Sequence, residues 1–170
     1  MSENSTEGIR EYQRLFGQAT HDDQQLFELL VVAVFQAGLS WRVAAGKLPV
    51  FRRVFANFEI SRVAAFDEPE IEQLMQNPEM IRNPRKIRAI VSNARAICQL
   101  PPEFSDFATY LWHFTEQEVW RMSVEPDVPL NQPSSLGTAV AKDMKKRGFK
   151  FVGPTTTQLL LLAAGIIQRV

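Results

Sequence analysis

Two short segments of this 170-residue chain carry side chains whose types and spacing suit chemistry. The first is Phe35-Gln-Ala-Gly-Leu-Ser-Trp41. Gly38 is a natural helix stop in the left-handed conformation. The apolar Leu39 then stands on the turn, and Trp41 follows two residues later. A wedge beside an aromatic plate is what a protein needs to take a base out of a nucleic-acid stack. The wedge fills the gap and the plate receives the extruded base. A lone tryptophan after a helix is also an ordinary core residue, and the spacing leaves both readings open.

The second segment runs from Lys145 through Arg147, Gly148, Phe149, Lys150, Phe151, Val152 and Gly153 to Pro154 and Thr155. A basic helix end meets Gly148. Phe149 and Phe151, two apart, can anchor a short hairpin, and Gly153 permits a tight turn. Pro154 opens a new helix that presents Thr155 in its first turn. Exposed N–H groups at a glycine turn and a helix N-terminus bind anions. With Lys145, Lys146 and Lys150 nearby, this is the chemistry of a helix–hairpin–helix clamp on a DNA phosphate. The alternative is a plain helical corner with structural glycines.

Charge is distributed to match. There are 19 basic and 19 acidic residues, so net charge is zero and binding through bulk charge alone is disfavoured. Yet Arg82, Arg85, Lys86, Arg88 and Arg95 have no acid among them, and Lys142, Lys145, Lys146, Arg147 and Lys150 enclose only Asp143. Such segregation suits a polyanion face on a neutral protein. Solvated helix faces would give the same pattern.

The elements that must position these residues read as helices. Leu26 to Phe35 is apolar on nearly every side and opens near Asp22, as expected of a buried helix. Val50, Phe51, Val54, Phe55 and Phe58 fall on one helical face. Asn83-Pro84 is a cap followed by proline at the first helical position. Helices are also expected from Ser105, over Ser135 to Lys146, and from Pro154. No hairpin signal for a strand pair is present. The fold class is therefore all-α, with seven to nine helices, in a single domain over 9–170 behind a disordered 1–8. A hydrophobic share of 45% and a charged share of 22% exclude a disordered bulk. One cysteine, Cys98, excludes an internal disulfide. The start of the chain lacks a signal-peptide pattern and no apolar run reaches a membrane span. The expectation is a soluble cytoplasmic protein.

Five motifs occur in order: Phe35 to Trp41, Ile81-Arg-Asn-Pro-Arg-Lys-Ile87, Asn93-Ala-Arg-Ala96, Tyr110-Leu-Trp-His-Phe114, and Lys145 to Thr156. With them the chain resembles the bacterial constitutive type of 3-methyladenine DNA glycosylase, in the helix–hairpin–helix glycosylase superfamily. The resemblance spans Phe16 to Ile167. It implies a two-lobed helical fold with DNA across the cleft, and base-excision repair by hydrolysis of the N-glycosidic bond. It implies Leu39 as the intercalating wedge and Trp41 as the plate. Lys145, Lys146, Lys150, Gly153 and Thr155 would hold the phosphate, in double-stranded DNA with an alkylated base, with the protein acting as a monomer.

The departures are specific. The family's zinc site needs Cys and His from both chain ends, and here Tyr12 stands where a zinc histidine is expected, so no metal or other cofactor is predicted. The family's pocket glutamate falls at Ala33, eight before Trp41. Its pocket tyrosine falls at Glu11 and a pocket tryptophan at Phe16. The expected base pocket is thus Trp41, Phe16, Ala33 and Gln36, with Glu11 supplying the missing carboxylate as the candidate catalytic group. The competing functional readings are a DNA-binding homologue with an impaired pocket and a protein-interaction domain without nucleic acid.

Overall fold

The computed structural model describes residues 3–170. The helix α2 (Asp23–Gln36) is the axis of the molecule, because every residue from Leu26 to Phe35 is buried. A helix apolar on all sides must be covered on all sides. Asp22 caps its start, accepting from the Gln25 N–H at 3.0 Å. On one side lie α3 (Trp41–Gly46), α4 (Leu48–Val54), α5 (Ile60–Ala64), α6 (Glu68–Gln76) and α7 (Pro84–Cys98). On the other lie α8 (Phe107–His113) and α10 (Pro154–Ala163), with α9 (Ser135–Lys146) packed on α10. The two groups share one continuous apolar core. Among the described residues no helix is long and apolar enough to cross a membrane.

The all-α expectation holds, with ten α-helices among the described residues rather than seven to nine. Asn83 caps α7 and Pro84 is its first residue, as its sequence signals. Helix α8 is capped by Asp106 rather than Ser105, through the Thr109 N–H at 2.7 Å. The apolar face expected to run from Val50 to Phe58 breaks earlier. Ala56, Asn57 and Phe58 all have positive φ, of 50°, 56° and 61°, so the chain turns sharply after α4. The turn still buries Phe58. Two three-residue strands, β1 (Trp120–Met122) and β2 (Ile167–Arg169), pair in parallel with Trp120 opposite Ile167. They are too short to show an alternating pattern in the sequence.

The amino terminus differs from expectation. Residues 1 and 2 lie outside the described residues, but from Glu3 the chain is already in α1 (Glu3–Leu15). This helix packs on α3 and α4. Gly8 permits the seating: a Cβ there would come within 2.5 Å of the Ala45 carbonyl oxygen and 2.9 Å of Pro49. With the backbones that close, Ile9 and Tyr12 are buried.

Candidate functional site

The seating of α1 builds one wall of a cavity of about 550 Å³. Tyr12 and Gln13 line it from α1, Phe16 from the turn that follows, Gln36 from the end of α2, and Trp41 from the start of α3. Leu130 and Asn131 enter from the loop before α9, and Leu159 from α10. The Tyr12 and Trp41 rings are near parallel, with centroids 6.2 Å apart and planes 29° apart. Phe16 meets Tyr12 edge-on at 5.6 Å. Every lining side chain is formally neutral, and burial pushes the Tyr12 phenol far above its ordinary range, so it stays protonated. Gln36 Oε1 is buried with no hydrogen-bond partner. A buried acceptor left unmade costs free energy, which makes it a ready receiver for an N–H donor.

Of the residues expected at the pocket, the structure brings Trp41, Phe16 and Gln36 together and leaves two out. Ala33 is buried inside α2 and does not line the cavity. Glu11 does not face Trp41, which corrects the expected exchange of carboxylates. Successive helical residues differ by about 100° around the axis. Tyr12 and Phe16, four apart, therefore share the cavity face, and Glu11 is turned toward α4. There its carboxylate accepts from Arg52 at 2.7 Å. Arg52 also reaches the buried Glu28 at 3.4 Å. Burial pushes the Glu28 carboxyl up from its usual value, and the Arg52 charge opposes this. Glu11 thus belongs to an ion-pair hub tying α1, α2 and α4. Tyr12, Gln13, Leu130, Asn131 and Leu159 line the cavity without being expected there. The i, i+4 pairing of Tyr12 with Phe16 was the available signal for the first, while the proline-rich loop offered none for Leu130 and Asn131.

Between Gln36 and Trp41 the chain makes the anticipated turn. Gly38 has φ of +79°, which favours glycine, and Ser40 caps α3 through the Val43 N–H. Leu39 is left 41% exposed at the tip, uncommon for so large an apolar side chain in this molecule.

The second assembly is the α9–α10 corner. Helix α9 ends in a Schellman arrangement: the Gly148 N–H donates to Lys145 O and the Phe149 N–H to Met144 O, both at 3.1 Å. Gly148 supplies the positive φ, +97°. Phe149 is buried, stacked with Phe107 and Tyr110. Phe151 also has positive φ, 56°, and the Arg85 guanidinium lies 5.6 Å from its ring centre. Gly153, expected to make the tight turn, instead has an ordinary φ of −61° and caps α10 without any side-chain bond. An added Cβ there would meet nothing within 4 Å. Its hydrogen side chain thus leaves the backbone open to approach from outside. Buried Asn93 of α7 holds the loop, donating to the Lys150 carbonyl and accepting from the Lys150 N–H at 2.7 Å. Lys145, Lys146, Lys150 and Thr155 are exposed around this corner.

The other basic run serves the fold. Arg88 pairs with Glu68, Arg95 donates to the Ala64 and Phe66 carbonyls, and Lys86 is buried against the end of α2. Only Arg82 and Arg85 of that run lack a carbonyl or carboxylate partner among the described residues.

Residues 2–169 match the family model described as methyladenine glycosylase. The chain belongs to the methyladenine glycosylase family. It is similar to DNA-3-methyladenine glycosylase 1 of Escherichia coli, with 35% identity over 86% of this chain and 79% of that one. It is 31% identical to the DNA-3-methyladenine glycosylase of Haemophilus influenzae over 90% of this chain and 83% of its relative. A solved 3-methyladenine DNA glycosylase I in complex with 3-methyladenine superposes with a TM-score of 0.86 at 28% identity, covering 99% of this chain and 89% of that structure. The zinc site that the resemblance implies, in contrast, does not fit the residues present. Tyr12 is buried against Phe16 and Trp41, His21 lies stacked on Trp112, and Cys98 is exposed at the end of α7. Among the described residues no three His, Cys, Asp or Glu side chains are grouped to hold a metal.

Proposed function

We propose that the protein is a monofunctional DNA glycosylase that releases 3-methyladenine from double-stranded DNA by hydrolysing the N-glycosidic bond. The observation that carries this reading is the neutral aromatic cavity beside the exposed Leu39 turn, with the unpartnered Gln36 acceptor in its wall. Leu39 enters the stack in place of the extruded nucleotide, and the base slides over Trp41. Gln36 takes the part of the carboxylate absent at Ala33 by accepting a hydrogen bond from the purine edge.

A neutral pocket suits this substrate. An N3-methylated adenine carries positive charge while attached to the sugar, so its bond is already weakened. The protein has to select, orient and admit water, which positioning alone can achieve. No metal or cofactor is needed for a leaving group that brings its own charge. The Trp41 face attracts such a base by about 0.5–2 kcal/mol. Lys145, Lys146 and Lys150 hold phosphate together with the open N-terminus of α10 at Gly153 and Thr155. The same reading has it act as a monomer in the cytoplasm, where the DNA of its bacterial relatives lies. The relative solved with 3-methyladenine bound supports the base assignment.

The test is chromatography of bases released from methylated duplex DNA, with Ala33→Glu beside the wild type. Release of 3-methyladenine by the wild type is expected. Binding of duplex without any release would instead assign a DNA-binding homologue with an impaired pocket.

A further inference from the structure

Lys86 is the one lysine buried among the described residues, at 5% exposure, and the glycosylase chemistry above does not use it. It sits in the first turn of α7, far in sequence from the wedge turn. Its ammonium donates to the Phe35 carbonyl at 2.9 Å and to the Ala37 carbonyl. Burial holds its pKa below the ordinary lysine value. Removing a cation from water is costly unless fixed acceptors replace the hydration. Here the acceptors are carbonyls at the negative end of the α2 dipole.

The carbonyls of this helix end are each met in turn. Val34 O accepts from the Ala37 N–H at 3.3 Å, and Gln36 O from the Leu39 N–H at 2.7 Å. Lys86 meets the two between and beyond them, Phe35 and Ala37. The ammonium thus grips the peptide preceding Gln36 and the one preceding Gly38. Those are the peptides that aim the Gln36 carboxamide into the cavity and set the direction of Leu39. Gly38 alone would leave the turn free to swing, since glycine tolerates many backbone angles.

We infer that Lys86 is a positioning residue for base extrusion: its ammonium fixes the α2 terminus so that Leu39 and Gln36 meet the DNA in one geometry. The inference rests on the glycosylase reading of the cavity. It also explains why a basic residue between the outward-facing Arg85 and the Glu68-paired Arg88 is turned inward.

The test uses Lys86→Met, which keeps the length and removes the charge and donors, with Lys86→Arg beside it. Two readouts separate positioning from general stability. One is single-turnover release of 3-methyladenine from methylated duplex. The other is fluorescence of 2-aminopurine placed next to a stable abasic-site analogue, which brightens when a wedge unstacks it. For Lys86→Met, release is expected to fall about tenfold to a hundredfold, the cost of displacing a reacting group by about 1 Å. The probe should stay dim even though duplex affinity is unchanged, because the phosphate contacts are intact. Lys86→Arg should recover part of both signals. A folded Lys86→Met that releases base and brightens the probe like the wild type overturns the inference. Should Lys86→Met fail to fold, ¹⁵N-lysine spectra of the wild type decide. The Lys86 ammonium protons should exchange slowly, free and duplex-bound, and exchange as fast as for surface lysines in either state overturns the inference. A wild type that brightens the probe but releases no base would remove the glycosylase reading and leave the role of Lys86 standing.

Discussion

The base cavity and the α9–α10 corner solve opposite problems with opposite materials. The cavity is neutral, aromatic and assembled from five separate stretches of chain. The corner is basic, exposed and built from a single run between α9 and α10. In the proposed function, what the cavity recognises is flat and is read by stacking and one or two hydrogen bonds, and what the corner recognises is a charge that every nucleotide carries. The two are joined by α10, whose first turn belongs to the corner and whose Leu159 lines the cavity. Five residues of helix put Pro154 and Leu159 about 7.5 Å apart along the axis. A rigid helix therefore fixes the distance between the corner and the pocket. The lesson is that selection and affinity are separable by mutation while their spacing is not.

The sharpest break between the regions is Trp41→Ala. Stacking of a base on an aromatic ring is worth about 1–3 kcal/mol, so release should fall about tenfold to a hundredfold. Binding to undamaged duplex, read by anisotropy, should not change. Asn93→Ala comes next. It removes both bonds to the Lys150 peptide and empties a buried site, so melting should report a loss of about 2–3 kcal/mol. Duplex affinity should fall with it, because the clamp loop is released.

Removing Lys145 and Lys146 together should act on affinity alone. The slope of log affinity against log salt should flatten by about 0.9 for each phosphate that is no longer neutralised. Equal affinity at low salt for this variant and the wild type would disprove the clamp. Gly153→Ala tests the same corner by shape: with φ of −61° and open space around the site, melting should be unchanged while duplex binding weakens. The smallest effect is expected for Glu11→Gln. Release should be unaffected, and stability should drop by no more than about 1 kcal/mol, since Arg52 keeps Glu28.

The corner was far more legible in the sequence than the cavity. Gly148, Pro154 and the lysines act locally, as do the caps at Asp22 and Asn83, so neighbours in sequence are neighbours in space; Gly153 is the exception, with an ordinary φ where a tight turn was expected. The cavity depends on rotation around α1, where one residue's slip exchanges Glu11 for Tyr12. It also depends on Leu130 and Asn131, which a proline-rich loop delivers without any periodic signal. The basic run from Arg82 to Arg95 looked like a polyanion face because its true partners are remote carbonyls and Glu68. Such acceptors leave no mark on the charge pattern.

The central claim is that a formally neutral cavity around Trp41 recognises the base by stacking and carboxamide contacts. Titrating free 3-methyladenine against tryptophan fluorescence tests it without DNA, clamp or catalysis. The account predicts saturable quenching that is insensitive to salt, weaker in Gln36→Ala and absent in Trp41→Phe, where Trp112 and Trp120 remain. Quenching that persists in Trp41→Phe, or no quenching in the wild type, would contradict it.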